Sequence, residues 1–376
     1  MVNVSWFFIS HRLELAKAAL RAGYDVHVAT RVTSAADADR IRAAGLVLHH
    51  IEIGRGDSGL LYDLRSIREI FRLYKTLRPD LTHHVALKPV VFGGLMARML
   101  GMRRVVQAVP GLGYGFVGDG MSGRLRRLLL LGALRLSCRW PGATVILQNA
   151  EDLEALVDAG AINRESAVLV RGSGVAVSAI QPLSEPDGPV RVVFASRMLR
   201  EKGLVEFVEA ARLLRAAGEN AEFLLAGVPD DSNPGTVSIE QLTAWHRSGV
   251  VNYLGFVSDI PALLLSSHLV CLPTYYGEGV PKILIEAAAC GRAIITTDRP
   301  GCRDIVREGV NGCLVKPRDA RALADAMKQL IRAPELRREY GLAGRQLAAA
   351  EFDLSIIVGQ TLALYEKLLE RPCRSW

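Results

Sequence analysis

The chain has 376 residues, of which 50% are hydrophobic and 23% are charged, and its formal net charge is +7. This balance excludes a disordered or fibrous protein, and the length favours two domains of roughly 150 residues or more each. No apolar run reaches the roughly 18 to 20 residues of a membrane span, and the start lacks the basic region of a signal peptide, so we expect a cytoplasmic protein.

Short β-branched runs alternate with amphipathic segments along the chain, a pattern typical of β-α units with parallel sheets. His83 and His84 end one predicted strand, and Lys88-Pro89 opens the helix after it. Because side chains alternate along a strand, only one of the two histidines can point to a given face. In the first half the pattern predicts strands at 24–30, 46–53, 80–86, 104–109 and 143–148.

The positive excess lies entirely in the first half of the chain. Residues 1–185 hold 23 Lys and Arg against 16 Asp and Glu, whereas residues 186–376 hold 23 of each kind. A basic amphipathic helix predicted at 123–140 can lie in an anionic membrane interface; the alternative is a core helix whose arginines are solvated. Nucleic acid is not expected as a partner, because no basic run is interleaved with aromatic residues. The segment contains no acid, and its arginines are Arg124, Arg126, Arg127, Arg135 and Arg139.

Residues 177–189 are rich in proline and acidic residues and poor in apolar periodicity, which predicts a linker. We therefore expect a first domain at 1–178 and a second at 186–354, with residues 355–376, largely an amphipathic helix, packing back on the first. The second domain has predicted strands at 190–196, 221–227, 250–256, 268–274, 293–298 and 312–316.

Two cations follow the strand predicted at 190–196. Arg197 comes directly after it, and Lys202 stands just before a helix that begins near Gly203. Cations past a strand end, at the mouth of a helix, suit a pyrophosphate, because the helix N-terminus also favours an anion. The alternative is a pair of solvated surface cations.

Two carboxylates flank the start of another predicted helix, in the stretch 276–289. Pro281 suits a first helical turn, so the helix is predicted to begin near Val280. Glu278 then lies in the entering loop, and Glu286 lies about one and a half turns along the helix. The two carboxylates could grip two parts of one ligand, with an anion at the helix N-terminus between them. The alternative is a capped core helix with one solvated and one buried acid.

Three motifs follow one another in the second half: SRMLREKG, YLGFVSDIPALL and EGVPKILIEAAACGRAIITTDRPGCRDIVREGVNGCLV. In order and spacing they resemble the retaining GT-B glycosyltransferases of family 4. In the first half, HHVALKPVVFGGLMARMLGMRRVVQAVPGLGYGF resembles the bacterial members that add sugars to lipid-linked intermediates. The resemblance implies an α/β fold in which two Rossmann-like, doubly wound domains face each other across a cleft, where ligands of such sheets bind.

The resemblance also implies a donor site, residue by residue. Glu286 would accept hydrogen bonds from the ribose of a nucleotide sugar, and Glu278 would lie by the donor sugar. Arg197 and Lys202 would neutralise the diphosphate leaving group, because fixed cations stabilise its growing charge most in the transition state. The other implied substrate-binding residues are Phe256, which would meet the base, and Gly279, Val280, Pro281 and Lys282 at the helix entry.

On the acceptor side, the resemblance implies a histidine in the cleft near the end of the strand predicted at 80–86. We prefer His84 as the catalytic histidine and assign His83 and Lys88 to substrate binding. The alternative is a structural histidine whose hydrogen bonds are satisfied within the fold. The segment 111–116, GLGYGF, is interpreted as an acceptor-side loop.

The resemblance implies neither a metal nor a cofactor, since the nucleotide sugar is a substrate. The six cysteines agree with this expectation, because they show no Cys-x-x-Cys pair and no zinc-type histidine spacing, and we interpret them as reduced thiols. Asp37 and Asp39 have an Asp-x-Asp spacing, but they lie in an Ala-rich stretch that predicts a helix.

The implied function is transfer of a hexosyl or N-acetylhexosaminyl group, with retention, from a UDP-sugar to a lipid-linked or saccharide acceptor. Such an enzyme would serve O-antigen, capsule or exopolysaccharide synthesis as a peripheral protein on the inner face of the plasma membrane, with an anionic membrane surface as a partner. One alternative is a catalytically impaired scaffold of the same fold. A nucleotide-sugar epimerase or dehydrogenase is disfavoured, because no tyrosine has a lysine four residues on and no Gly-x-Gly-x-x-Gly turn follows the first strand.

The start of the chain departs from the family pattern. Members usually have a full apolar strand before the segment that corresponds to 3–12, and here only Met1 and Val2 precede it. The expectation is either that the coding start lies upstream or that the first domain lacks its central strand.

Overall fold

A computed structural model describes residues 1–54, 59–113 and 120–370. The chain divides into two compact units, residues 1–173 with 355–376, and residues 174–354. The segment 177–189, interpreted above as a linker, lies in the second unit. There Arg337 donates to both carboxylate oxygens of Glu185, at 2.9 and 2.8 Å.

The helices and strands follow the predicted alternation. Each predicted strand is present, usually shortened by one to three residues, and β6 was not predicted because it has only three half-buried residues. From the start of the chain the elements are α1 Ser5–His11, α2 Leu13–Arg21, β1 His27–Thr30, α3 Ala35–Ala43, β2 Val47–His50, α4 Leu60–Leu77, β3 Thr82–Val85, α5 Leu87–Met99, β4 Val105–Val109, α6 Met121–Cys138, β5 Ala143–Leu147, α7 Ala150–Asp158 and β6 Ala167–Leu169. The later elements are β7 Val190–Ala195, α8 Leu204–Ala216, β8 Ala221–Ala226, α9 Ile239–Arg247, β9 Asn252–Gly255, α10 Ile260–Leu265, β10 Leu269–Leu272, α11 Lys282–Ala289, β11 Ala293–Thr297, α12 Cys302–Ile305, β12 Gly312–Val315, α13 Ala320–Arg332, α14 Pro334–Glu351 and α15 Leu354–Leu369.

In the first unit, β3, β4, β5 and β6 form one parallel sheet in that order, and β1 pairs with β2 in parallel. The start of the chain connects these two groups, because Val2 bridges to Val85 and Val4 bridges to Arg31, both in parallel. Residues 1–4 therefore lie between β1 and β3, where they supply a short piece of a central strand.

The second unit has one six-stranded parallel sheet in the order β12-β11-β10-β7-β8-β9. Its inner strands β10 and β11 are buried on both faces, as is most of β7, which agrees with their mostly uncharged, largely apolar sequences. The order reverses between β7 and β10, so the loops that leave these two adjacent strands diverge at their carboxyl ends. In open α/β sheets this switch point is where ligands bind.

Candidate functional site

The loop after β7 is tied to the loop after β10. The carbonyl of Glu201 accepts hydrogen bonds from the backbone N–H groups of Tyr275 at 2.9 Å and Tyr276 at 3.0 Å, and from the Thr274 hydroxyl at 3.2 Å. Gly203 has a φ of +79°, and a Cβ there would overlap the carbonyl of Pro273. The close approach of the two loops thus requires glycine at this position.

A buried ion pair joins these loops. Lys202 Nζ lies 2.6 Å from Glu278 Oε2, and the Thr274 hydroxyl donates to Glu278 Oε1 at 2.9 Å. The ammonium also lies 5.4 Å from the centre of the Tyr276 ring. Burial lowers the pKa of Lys202, and the Glu278 carboxylate opposes that shift. The pair is therefore held in a fixed geometry at the switch point of the sheet.

Arg197 forms a second pair at the same edge of the sheet. Its Nη1 lies 2.6 Å from Oδ2 of Asp230, which follows β8. Asp230 was not predicted, because its only signal in the sequence is that of an acidic residue shortly after a strand end. The charge of Arg197 also lowers the pKa of Lys202, so the two cations lie close enough to interact. Both predicted cations are thus paired with carboxylates, and a diphosphate would share their donors with Asp230 and Glu278.

The helix that carries Glu286, α11, begins at Lys282 and not near Val280, so that predicted boundary was two residues early. Pro281 has extended backbone and precedes the helix as its N-cap, and its carbonyl accepts from Leu284 N at 3.0 Å. Lys282 Nζ lies 3.1 Å from Glu286 Oε1, one turn along the helix. Burial raises the pKa of Glu286, and the neighbouring Lys282 charge opposes this.

A second glycine contact fixes the turn before α11. Gly301 has a φ of +74°, and a Cβ there would overlap the carbonyl oxygen of Gly279. Gly279 and Val280 are buried beneath this contact. The backbone between Glu278 and the helix is therefore held by the loop after β11, a restraint that was not predicted because it joins segments about 20 residues apart in the chain.

Phe256 stands apart from the charge pairs. It follows β9, which is separated from β7 by β8, and its side chain is 77% exposed. An exposed aromatic ring just past a strand end is available for stacking on a planar ligand.

In the first unit, the preference for His84 as the histidine that faces open space needs correction. His84 is fully buried, its Nδ1 lies 2.9 Å from Gln107 Oε1, and its Nε2 bonds the Tyr74 hydroxyl. Burial lowers its pKa to about 3. Because side chains alternate along a strand, neighbouring His83 points to the opposite side of β3, where its Nδ1 bonds the Tyr365 hydroxyl of α15. Both faces of β3 are therefore covered. As described, His84 is a core side chain.

The other first-unit predictions have mixed outcomes. Lys88 lies at the start of α5, as expected, with its Nζ 2.8 Å from Asp63 Oδ1. Asp37 lies in α3, as its Ala-rich context predicted. Within 111–116, residues 114–116 lie outside the described part of the chain. In residues 1–54, 59–113 and 120–370, no group of three or more His, Cys, Asp or Glu could hold a metal ion.

Two family profiles match the chain. The profile described as "Glycosyl transferases group 1" matches residues 178–347, and "Glycosyl transferase 4-like" matches residues 1–149. The chain belongs to the family 4 glycosyltransferases. One profile lies within the first unit and the other within the second, so together they cover most of the chain.

Bacterial relatives of this glycosyltransferase share most of its length. The N,N'-diacetylbacillosaminyl-diphospho-undecaprenol alpha-1,3-N-acetylgalactosaminyltransferase of Campylobacter jejuni is 27% identical over 88% of both chains. The capsular polysaccharide biosynthesis glycosyltransferase CapM of Staphylococcus aureus is 23% identical over 92% of this chain and 90% of its own.

Solved structures show the fold. A glycosyltransferase from Rickettsia africae aligns with a TM-score of 0.74 and 17% identity, over 99% of this chain and 98% of its own. HepE of Anabaena, solved in complex with UDP and glucose, aligns with a TM-score of 0.75 and 17% identity over 97% and 99%. The fold of this glycosyltransferase is therefore of the GT-B type.

The basic segment of this glycosyltransferase forms α6, and its outward face is unusual. Leu125, Leu128, Leu129 and Leu136 are 59%, 67%, 68% and 56% exposed. Arg124, Arg127, Arg135 and Arg139 are also exposed, whereas Arg126 is half-buried. One face of α6 packs on the core through Leu134 and Cys138, and most of its arginines are exposed, as the core-helix alternative predicts. That alternative does not explain the four exposed leucines. No described helix is long and apolar enough to cross a membrane.

Proposed function

We propose that this glycosyltransferase moves a hexosyl or N-acetylhexosaminyl group from a UDP-sugar to a lipid-linked saccharide, with retention and without a metal ion, in bacterial surface polysaccharide synthesis. The Campylobacter relative is named for a diphospho-undecaprenol-linked saccharide, and HepE was solved with UDP and glucose. The observation that carries the proposal is the set of paired charges at the switch point between β7 and β10.

The diphosphate of the donor binds between the loops after β7 and β10. Arg197 and Lys202 donate to it there, and the first N–H groups of α11 point to the same end of the sheet. Bond cleavage leaves more negative charge on the diphosphate than the bound donor carries, so both cations act mainly on the transition state. They thereby supply the charge that a metal ion provides elsewhere.

The two carboxylates hold the donor site in its binding geometry before the ligand arrives. Glu278 holds the Lys202 ammonium at 2.6 Å before any ligand arrives, so little rearrangement is needed when the diphosphate shares that donor. The same carboxylate, with the backbone of Gly279 and Val280, lies beside the donor sugar. Lys282 orients Glu286, whose carboxylate accepts hydrogen bonds from the ribose hydroxyls. Phe256 stacks on the base.

A membrane surface presents the acceptor. The exposed leucines of α6 enter the headgroup boundary, and its arginines meet anionic lipids, at about 1 kcal/mol for each residue near the surface. The first two turns of α4 also carry exposed leucines, Leu60, Leu61 and Leu64, at 76%, 84% and 53% exposure. A lipid diphosphate acceptor keeps its reacting end at that surface, so peripheral attachment to the inner leaflet brings enzyme and acceptor together.

The test incubates the purified chain with a panel of labelled UDP-sugars and a polyprenyl-diphosphate-linked saccharide on anionic vesicles. We expect transfer from at least one UDP-sugar, unchanged by a chelator, with the anomeric configuration of the donor kept in the product as read by NMR. An inverted product contradicts retention. Activity that a chelator abolishes and a divalent cation restores contradicts metal independence.

A further inference from the structure

The turn between β12 and α13 holds an arginine in a left-handed backbone conformation. Arg318 has a φ of +61°, and among the described residues of the second unit it is the one residue other than glycine with a positive φ. Side chains disfavour this conformation, because the Cβ approaches the following carbonyl oxygen, whereas glycine adopts it without that cost. Backbone strain that persists at a long charged residue supports a role for its side chain.

The Arg318 side chain lies over a tyrosine of the loop after β10. Its guanidinium carbon is 4.5 Å from the centre of the Tyr275 ring, which is within the range of a cation–π contact. Arg318 follows β12 and Tyr275 follows β10, and these strands are separated by β11 in the sheet. The contact therefore connects two loops at the carboxyl edge of the sheet that are not neighbours.

The same guanidinium acts on a carboxylate of α8. Glu206 Oε2 is buried and has no hydrogen-bond partner among the described residues. Burial raises the pKa of Glu206, and its own backbone N–H and the Arg318 charge oppose that shift. Arg318 thus interacts with α8 as well as with the loop after β10.

Tyr275 belongs to the loop that carries one half of the buried ion pair. Its N–H and that of Tyr276 donate to the carbonyl of Glu201, the residue before Lys202, at 2.9 and 3.0 Å. The Tyr276 ring lies 5.4 Å from the Lys202 ammonium, and the Tyr276 carbonyl accepts from Glu278 N at 2.9 Å. The loop therefore has a cation over each of two adjacent rings, and one of these cations belongs to the ion pair.

We propose that Arg318 is a positioning residue of the donor site, which holds Tyr275 and thereby fixes the path of the loop from β10 to Glu278. It acts through the loop and not on the substrate. Without the guanidinium the loop opens more often, so that Lys202 and Glu278 spend less time in their paired geometry. The effect on catalysis rests on the proposed function, whereas the effect on the loop can be measured without a substrate.

Two substitutions at this one position separate the side chain from the backbone. Arg318→Ala and Arg318→Gly both remove the guanidinium, but only the glycine variant also relieves the left-handed conformation. Each full-length variant is compared with the unmodified protein by thermal unfolding, by hydrogen exchange of the Tyr275 and Tyr276 amides, by calorimetry with UDP, and by steady-state kinetics with a UDP-sugar that supports transfer. Tyr275→Leu, alone and combined with Arg318→Ala, tests whether the two side chains act together.

We expect both Arg318 variants to exchange the two tyrosine amides about threefold faster or more, because an exposed cation–π contact is lost. The kcat should fall about threefold or more, with the KM for the donor unchanged within about twofold, because the loss falls on the transition state. The glycine variant should unfold about 3 °C or more above the alanine variant, since it alone removes the strain. Beside Tyr275→Leu, Arg318→Ala should have little further effect on the Tyr276 amide.

The proposal is overturned if both Arg318 variants keep the exchange rates and the kcat of the unmodified protein. It is also overturned if Arg318→Gly restores what Arg318→Ala loses, because the backbone and not the side chain is then responsible. Faster exchange with an unchanged kcat, or effects of Arg318→Ala and Tyr275→Leu that simply add, contradict it as well. An unmodified chain that binds no UDP and transfers no sugar contradicts the proposed function instead, and the exchange rates still decide whether Arg318 holds the loop.

Discussion

The charges of the second unit and those of α6 differ in how they are held. Lys202 and Glu278 are a buried pair 2.6 Å apart, with only 10% and 14% of their side chains exposed. The arginines along the outer face of α6 lie in solvent beside exposed leucines. The charges of a buried pair interact at short range in a fixed direction, and salt screens that interaction only weakly. Exposed charges interact with a whole surface, and salt weakens their attraction. The first arrangement suits chemistry at one bond, and the second suits attachment to a membrane.

The largest effect is expected from removal of the buried cation. Lys202→Ala should lower turnover about 10²- to 10³-fold, because a fixed charge at the leaving group is lost. It also leaves Glu278 buried without its partner, which lowers the free energy of unfolding by roughly 3 kcal/mol. Steady-state kinetics should be measured with circular dichroism at the same temperature, and Lys316→Ala, an exposed lysine of the same unit, is the control. A folded variant with ordinary turnover contradicts the leaving-group role.

Neutralising exposed charge should act on membrane attachment and leave donor binding unchanged. The variant Arg124→Gln, Arg127→Gln, Arg135→Gln loses about 3 kcal/mol of attraction, or about 10²-fold in partitioning onto anionic vesicles. The control changes Arg21, Arg40 and Arg42, exposed residues of the same unit, to glutamine and so has the same net charge.

Sedimentation with vesicles of defined composition measures this difference, and ~1 M salt should release the unmodified protein, because the Debye length is then ~3 Å. If the control loses as much binding as the α6 variant, net charge and not this helix is responsible. If neutral and anionic vesicles bind equally, the electrostatic attachment is disproved.

Glu286 tests whether a buried carboxylate outside the central pair contributes to binding. Glu286→Ala should lower the affinity for UDP by about tenfold or more, since a hydrogen bond to a charged group contributes roughly 1.5 to 3 kcal/mol. Calorimetry with uridine and with free uracil separates the contribution of the ribose from those of the base and the diphosphate. If the variant and the unmodified protein bind UDP with equal affinity, Glu286 does not bind the ribose.

The smallest expected change is a gain. Asp230→Asn keeps the shape of the side chain but removes the charge 2.6 Å from Arg197, so the guanidinium is shared less with the protein. UDP should then bind a few-fold more tightly, because weakening one partner of a pair increases the attraction of the other to an anion. Weaker binding would mean that Asp230 is needed to position Arg197.

Sequence predicted the elements well, because β-branched runs and amphipathic periods are local signals. It also brought Arg197, Lys202 and Glu278 to neighbouring strand ends. The partners of these charges could not be predicted, since Asp230 reaches Arg197 only through the order of strands in the sheet. The prediction that His84 lies in the cleft was wrong for a similar reason. Alternation of side chains distinguishes the two faces of β3, but it does not show that both faces are covered. The exposure of the α6 leucines likewise depends on what packs beside the helix.

Gly203 and Gly301 also bear on how this enzyme can evolve. Each lies against a backbone carbonyl, at Pro273 and Gly279 respectively, so no change of a neighbouring side chain can make room for a larger residue. In a saturation scan the two positions should tolerate substitution as poorly as Lys202, although neither carries a functional group. Libraries that aim at a new sugar preference should keep both glycines and vary the side chains around them. The backbone path of these loops is fixed by the two glycine contacts, whereas the surrounding side chains can change.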